Sequence, residues 1–160
     1  MRLRELLERL VRSEISFILV GGLAVNAWGY LRATQDVDVV PDPEPENLAK
    51  LDELLRELGG KVDVDGRLLD SAAISTFLRT GDRTFVRTDL GQVDVLQGLP
   101  QVPRFAELEE KAVTIDLDGL EVRVCALEHL LAMKRASDRA RDRDDLEALE
   151  AAQEEDRDES

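Results

Sequence analysis

The sequence predicts an α/β fold (α+β in its arrangement), in which helices pack on a mixed, mostly antiparallel sheet and further helices follow at the C-terminal end. Apolar runs with strand character alternate with segments whose leucines recur at helical spacing. Two pairs of short strands flank tight turns at Asp89-Leu90-Gly91 and Asp118-Gly119, a pattern typical of β-hairpins. These hairpins favour antiparallel pairing.

The first half of the chain begins with a strongly amphipathic segment, because Leu3, Leu6, Leu7 and Leu10 share one helical face. Prolines at positions 41, 43 and 45 end a strand and start a helix, which a glycine pair terminates. The elements predicted here are a helix at 2–14, strands at 15–20 and 36–40, a short helix at 23–30, a helix from about 44 to 58, and a strand and turn at 61–66.

The second half contains both hairpins and then turns helical. The elements predicted here are strands at 83–88 and 92–97, a helix at 104–112, strands at 113–117 and 120–124, and helices at 127 to about 138 and 142 to about 152. We assign residues 1–152 to one domain, since 160 residues suffice for a single core. The charged residues 153–160 are expected to form an acidic disordered tail.

The composition restricts the partners that the protein can have. A net charge of −14 argues against non-specific binding to DNA or to a membrane surface, both of which need a basic face. No apolar run reaches the length of a membrane span, and no signal peptide is visible. The single cysteine, Cys125, excludes an internal disulfide, so we expect a cytoplasmic protein.

The chemistry is concentrated between residues 20 and 40. Asp36 and Asp38 alternate with valines along a strand, so both carboxylates point to one side, with Cα atoms roughly 6–7 Å apart. Two carboxylates facing the same way repel each other unless a cation lies between them, and oxygen ligands suit Mg²⁺ or Mn²⁺. Asp94, within the strand of the first hairpin, would complete a triad if that strand is adjacent.

Gly21 and Gly22 end the first strand and open a helix. Backbone N–H groups at such a start attract phosphate, and the missing side chains let it approach closely. Paired glycines also serve simply to pack a helix close to a sheet. They gain meaning only beside Asp36 and Asp38, where a phosphate site next to a metal site indicates chemistry on a nucleoside triphosphate (NTP).

The Asp-x-Asp pattern alone is weak evidence, because it also occurs at Asp63/Asp65 and Asp116/Asp118. In both of those pairs the second aspartate is followed by glycine, which is typical of a hairpin turn. We therefore expect these two pairs to lie on solvated turns, and only Asp36/Asp38 to bind metal.

The stretch from Gly21 to Asp38 resembles the nucleotidyltransferase superfamily, whose signature is a glycine pair, a short helix and Asp-x-Asp. Within it, the stretch is most similar to the small bacterial enzymes of the AbiEii toxin type. The resemblance depends on Gly21, Gly22, residues 29–34 and Asp36-Val37-Asp38. It implies a nucleotidyltransferase-like sheet, Asp94 as the third acid, and a toxin-like role with RNA (tRNA ends) or a protein hydroxyl as acceptor and a cognate antitoxin.

A second likeness to the same superfamily lies near the C-terminus. It is carried by Lys134, Arg139, Arg141, Asp142 and Asp145, and it implies that Lys134 reaches the triphosphate while residues 139–145 order the edge of the site. The alternative is that Asp142 caps the last helix and both aspartates only complement its dipole. Relatives have a Gly-Arg-Pro-type turn where this chain has residues 138–140.

Several other residues near the glycines and acids have open roles. Arg32 either contacts a phosphate or pairs with an acid on the surface, and Thr34 beside it is assigned with Arg32 to the nucleotide. Trp28 is expected to anchor its helix to the core rather than stack on a base, and Asn26 is undecided. His129 is expected to be a packing or a surface residue, and Cys125 is expected to be a buried packing residue.

The function predicted from the sequence is a Mg²⁺-dependent (or Mn²⁺-dependent) nucleotidyltransferase with Asp36, Asp38, Asp94 and Lys134 as catalytic residues. The acidic net charge sits awkwardly with tRNA, so a small-molecule or protein acceptor stays open. The alternative is a nucleotide-binding or partner-binding module that keeps the fold without turnover.

Overall fold

The computed structural model describes residues 2–137 and 139–159, which form seven α-helices, a 3₁₀ turn and eight strands. The helices are α1 (Leu3–Arg12), α2 (Gly21–Ala27), α3 (Pro45–Glu57), α4 (Ile74–Thr80), α5 (Phe105–Lys111), α6 (Leu127–Ala136) and α7 (Ala140–Glu159). The strands are β1 (Phe17–Val20), β2 (Asp36–Pro41), β3 (Lys61–Val64), β4 (Arg67–Leu69), β5 (Arg83–Thr88), β6 (Gly91–Leu96), β7 (Val113–Leu117) and β8 (Leu120–Val124).

All eight strands belong to one sheet, in the order β4-β3-β5-β6-β2-β1-β8-β7. The pairs β2–β6 and β1–β8 are parallel, and the other five pairs are antiparallel. The predicted α/β fold with a mixed, mostly antiparallel sheet is confirmed. Both predicted hairpins, β5–β6 and β7–β8, are present.

The core lies between the central strands and the amphipathic helices. Every residue of β1 is buried, and β2 and β6 bury the valines that alternate with their aspartates. The helix α1 contributes Leu6, Leu7 and Leu10, as its apolar stripe predicts. Because these buried strands are held from several sides, the polar side chains that β2 and β6 carry are fixed in position.

Two elements extend beyond the bounds that the sequence predicts. The helix α2 starts at Gly21 rather than residue 23, with Gly21 at φ +69°, a conformation that glycine adopts without strain. At the other end, α7 continues to Glu159, through most of the segment predicted to be a disordered tail. Glutamate and glutamine, which are good helix formers, make up half of that segment. The division into a domain at 1–152 and a tail stays a prediction.

The segment between α2 and β2 is irregular but firmly attached. The indole Nε1–H of Trp28 donates to the carbonyl of Cys125 at 3.0 Å, which ties the end of α2 to the end of β8. The backbone N–H of Arg32 donates to Oδ1 of Asn26 at 3.1 Å. Trp28 therefore acts as an anchor, and Asn26 bonds to backbone. Within the described residues, no helix combines the length and apolar character needed to cross a membrane.

Candidate active site

Three carboxylates converge at the centre of the sheet. In the parallel β2–β6 pair, Asp38 stands opposite Asp94 and Asp36 stands opposite Gln92. One oxygen from each of the three aspartates lies within 4.8 Å of the others. The parallel pairing of β2 and β6 thus brings Asp94 to Asp36 and Asp38, from which it is more than fifty positions away in the sequence.

The proximity of these acids changes their protonation. Burial, followed by the charge of Asp36, raises the pKa of Asp38 to about 6. Burial and the charge of Asp38 raise the pKa of Asp94 to about 9, although the side-chain amide of Gln92 donates to Asp94 Oδ1 at 2.7 Å. Without a cation, mutual repulsion disfavours the state in which all three carboxylates are ionised.

These residues fit a divalent metal. The donor set consists only of carboxylate oxygens, which is the preference of Mg²⁺ and Mn²⁺ and not that of zinc or copper. The three oxygens are close enough to share one ion or a pair of ions, and their mutual repulsion is the electrostatic condition that a cation relieves. Asp36, Asp38 and Asp94 are the residues that would hold it.

Gly21 lies directly against this acid cluster. A Cβ atom at Gly21 would come within 1.9 Å of Asp38 Oδ2, and one at Gly22 would come within 2.7 Å of Thr34 Oγ1 and 3.1 Å of an Arg32 guanidinium nitrogen. Neither position therefore has room for a side chain. The structure brings Gly21, Gly22, Arg32 and Thr34, all predicted to contact nucleotide, to the same wall beside the acids.

Behind this wall lies a buried network of four charged groups. Arg32 forms a two-point contact with Asp145, from Nε to Oδ1 at 2.6 Å and from a terminal nitrogen to Oδ2 at 2.9 Å. Lys134 Nζ contacts Asp142 Oδ1 at 2.7 Å and Asp145 Oδ2 at 3.1 Å. Of the two alternatives for Arg32, pairing with an acid is what the structure shows, and that acid is buried rather than on the surface.

Asp142 is the most strongly held carboxylate of this network. Burial raises its pKa, but hydrogen bonds from Lys134, Ser137 and Arg139 outweigh burial and bring the pKa down to about 2. It lies within the first turn of α7 rather than at its cap. Lys134 and residues 139–145 therefore meet at the edge of the site, the region where the sequence resemblance puts them.

A cavity of about 540 Å³ opens over the acids, a size typical of small-molecule sites. On one side it is lined by the two glycines, and on the helical side by Lys134, Ser137 and Arg141. On the β5 side its walls include Arg83, Phe85, Leu99 and Val102. All eight residues predicted to form the site contribute to this cavity.

The decoy acids lie at turns, as predicted. Asp65 and Asp118 have positive φ values of 52° and 53°. The side chains of Asp63 and Asp116 accept hydrogen bonds from the backbone N–H groups of the glycines three residues on. Cys125 is buried, and burial raises the pKa of its thiol to about 12, so it is a packing residue.

Sequence reasoning missed Gln92, Ser137, Arg83 and Phe85. A signal existed for Gln92, because it is two residues before Asp94 and must share its face of the strand. Phe85 could have been found by pairing the predicted hairpin, in which it stands opposite Asp94. Ser137 had no such signal, since its contact with Asp142 depends on the turn between α6 and α7.

A mixed sheet with three converging acids beside a glycine-opened helix defines a nucleotidyltransferase. The chain matches the family described as "Nucleotidyl transferase of unknown function (DUF2204)" over residues 1–159, and it belongs to that family. No curated protein matches the chain significantly. The AbiEii toxin type is not part of the family description and stays a prediction.

Solved structures share the fold at low sequence identity. The chain is similar to the lincosamide antibiotic adenylyltransferase LnuA bound to lincomycin, with a TM-score of 0.68, 15% identity, and coverage of 92% of this chain and 94% of that one. It is also similar to ANT(2")-Ia in complex with adenylyl-2"-tobramycin, with a TM-score of 0.63, 14% identity, and coverage of 94% of this chain and 86% of that one. A third similar structure is a putative nucleotidyltransferase from Thermotoga maritima, with a TM-score of 0.52, 16% identity, and coverage of 79% of this chain and 76% of that one.

Proposed function

We propose that the protein is a Mg²⁺-dependent nucleotidyltransferase that moves a nucleotidyl group from an NTP to an acceptor hydroxyl. The observation that carries this proposal is the convergence of Asp36, Asp38 and Asp94 within 4.8 Å, in an open cavity next to Gly21. An acid cluster that served only stability would not need an open cavity above it. Membership of a nucleotidyl transferase family supports the same reaction.

Each wall of the cavity has a role in this proposal. Mg²⁺ (or Mn²⁺) held by the three aspartates would neutralise the phosphates and make the α-phosphorus more electrophilic. Gly21 and Gly22 pack against Asp38 and Thr34, and in this proposal their backbone N–H groups at the start of α2 bind the triphosphate. Lys134 supplies positive charge at the edge of the site as pyrophosphate leaves. Arg32 and Thr34 complete the nucleotide side.

The proposed reaction forms one bond and breaks one. The acceptor hydroxyl oxygen bonds to the α-phosphorus, and the bond from that phosphorus to the bridging oxygen of the β-phosphate breaks, which releases pyrophosphate. The hydroxyl proton goes to a carboxylate. Asp94 stands opposite Asp38 on the neighbouring strand, and a bound cation would keep its carboxylate ionised, so we assign it the role of accepting this proton.

The acceptor belongs to the same proposal. The sequence resemblance implies RNA (tRNA ends) or a protein hydroxyl, as in the toxin of a toxin–antitoxin pair. A net charge of −14 repels a polyanion. The structural neighbours named for lincomycin and for adenylyl-2"-tobramycin support a small hydroxyl compound instead. We favour a small-molecule or protein hydroxyl over RNA.

The test of the reaction is labelling with radioactive NTPs and Mg²⁺ in lysate, in total RNA and in a small-molecule extract. We expect wild type to label one fraction and Asp38→Asn or Asp94→Asn to lose at least about 100-fold of the rate, since each removes a charge that acts in the transition state. Asp65→Asn, a change in a decoy pair, is the matched control and keeps its rate. A wild type that labels no more than Asp38→Asn contradicts the proposal.

The toxin role has its own test. Expression of wild type should arrest growth, while expression of Asp36→Ala should not, and a co-expressed antitoxin should restore growth. Equal growth of the two strains removes the toxin role without touching the transferase. NTP binding that needs Mg²⁺ but never releases pyrophosphate would instead support the non-catalytic module.

A further inference from the structure

The part of the cavity beyond Asp94, on the β5 side, is lined by Arg83 and Phe85. In the antiparallel pair of β5 and β6, Phe85 stands opposite Asp94 and Arg83 stands opposite Leu96. Phe85 and Arg83 are two residues apart, so they share the face that carries the acids. In the sheet order, β5 lies on one side of these acids and β1, which leads into the glycines, lies on the other. Arg83 and Phe85 are thus on the side away from the proposed triphosphate site.

Arg83 forms no salt bridge with any carboxylate whose side chain the structure describes. Its guanidinium lies 5.4 Å from the centroid of the Phe85 ring, and its positive charge acts on Asp38, where it opposes the rise of the pKa. Arg32 and Lys134, in contrast, are both bonded to buried aspartates of α7. Arg83 can therefore offer its full fork of donors to a bound anion, and a guanidinium suits planar carboxylates and phosphates.

The rest of this wall is apolar or neutral. Leu96, Leu99 and Val102 line the cavity beside Phe85, and Gln101 adds one uncharged amide. In the part of the chain that the structure describes, the acids that line the cavity are the three of the metal cluster and Asp142, which is bonded to Lys134. A polycationic acceptor would find no free carboxylate on the β5 side.

From this arrangement we infer that the acceptor is a small hydroxyl compound with a flat apolar part and an anionic group. The flat part packs on Phe85, Leu99 and Val102, the anionic group binds Arg83, and the hydroxyl points toward Asp94. The inference rests on the proposed nucleotidyl transfer and adds its substrate class. It sets this site apart from one suited to an aminoglycoside such as tobramycin, which is cationic.

The experiment measures binding in the absence of any NTP, so that it does not depend on turnover. Three probes share one ring and one hydroxyl and differ in charge: 4-(hydroxymethyl)benzoate, 4-(hydroxymethyl)benzamide and 4-(aminomethyl)benzyl alcohol. Their affinities for the Mg²⁺-loaded protein are measured by ligand-observed NMR. We expect the benzoate to bind about tenfold more tightly than the amine, since one charge-assisted hydrogen-bond pair is worth about that factor.

The variant Arg83→Ala should abolish the preference for the benzoate, and Arg87→Ala is the matched control. Arg87 is on the same strand and face, but it is bonded to Asp63 outside the cavity, so its loss should leave the preference intact. Titration of both variants with Mg²⁺ and a non-hydrolysable ATP analogue shows which side of the site Arg83 serves. We expect unchanged nucleotide affinity in each.

Three results of these binding measurements would overturn the inference. They are equal or tighter binding of the amine by wild type, no detectable binding of the benzoate, and loss of nucleotide affinity in Arg83→Ala without a change in probe preference. Failure of wild type to bind a non-hydrolysable analogue of any of the four NTPs with Mg²⁺ would instead contradict the proposed function. Exclusive labelling of RNA in the activity assay would also exclude the small anionic acceptor.

Discussion

Asp38 and Asp94 stand opposite each other on two parallel neighbouring strands, although 56 positions separate them in the sequence. Gly21 closes the same space from the end of β1, since any side chain there would collide with the Asp38 carboxylate. The candidate metal site is therefore made by the register of the central sheet rather than by flexible loops. Substitutions at these positions should affect ligand binding and folding stability in ways that separate measurements can distinguish.

The first prediction concerns pH in the absence of metal. The raised pKa values of Asp38 (about 6) and Asp94 (about 9) mean that the folded protein keeps protons that the unfolded chain releases above about pH 4. Stability from this source is complete below that pH and is lost as the pH rises toward 9. We expect the melting temperature in EDTA to fall from pH 5 to pH 9.

Asp94→Asn should flatten this decline, and Asp65→Asn should not. Asp142 does not interfere, because its pKa, lowered to about 2, changes stability only below about pH 4. Added Mg²⁺ should raise the melting temperature most at high pH, where the acids are free of protons. A melting temperature that is constant or rises across the window in EDTA would be inconsistent with the acid cluster described here.

The second prediction concerns Gly21→Ala. The new Cβ would lie 1.9 Å from Asp38 Oδ2 and 2.8 Å from Asp38 Cβ, so rotation of the carboxylate alone cannot relieve the collision and the backbone must shift. We expect Mg²⁺-dependent NTP binding to be lost in calorimetry. Gly66→Ala is matched in backbone strain, since Gly66 also has positive φ (+86°) but open space around it. Gly66→Ala should lose about 1–2 kcal/mol of stability from that strain, and Gly21→Ala should lose more because its Cβ also collides with Asp38. Retained binding in Gly21→Ala would refute the close approach.

The third prediction concerns the buried network behind the nucleotide wall. Asp145→Asn removes the charge that Arg32 contacts at two points, while Lys134 keeps Asp142. Leaving the buried Arg32 cation without its partner costs about 3–5 kcal/mol. Denaturant unfolding should show this loss. The neighbouring Asp144 is exposed, so Asp144→Asn should stay within about 0.5 kcal/mol of wild type. Equal stability of the two variants would contradict the network.

The fourth prediction concerns the C-terminal helix. A chain ending at Ala152 keeps Asp142, Asp145 and the buried Leu149, so it should fold and bind NTP like the full protein. A chain ending at Ala136 lacks all three and should not give a cooperative unfolding transition. Loss of folding in the longer chain would place residues 153–160 inside the domain rather than in a tail.

The sequence was sufficient for the fold and for much of the candidate site because the signals are local. Alternation along β2 predicted that Asp36 and Asp38 share one face. The glycines that follow Asp65 and Asp118 showed that the other two Asp-x-Asp pairs belong to turns. The sequence could not reveal that β6 pairs in parallel with β2, since pairing of distant strands leaves no local mark. It also gave no sign that Arg32 would contact Asp145, more than a hundred residues away, so its two alternatives stayed open.

The network of Arg32 and Lys134 has a consequence for the order in which the protein becomes active. During synthesis, Asp36, Asp38 and Asp94 leave the ribosome well before Asp142 and Asp145. Until the last helix emerges, two buried cations lack their counter-charges beside a completed acid cluster. A growing chain therefore lacks the counter-charges of Arg32 and Lys134 until the residues of α7 have been added.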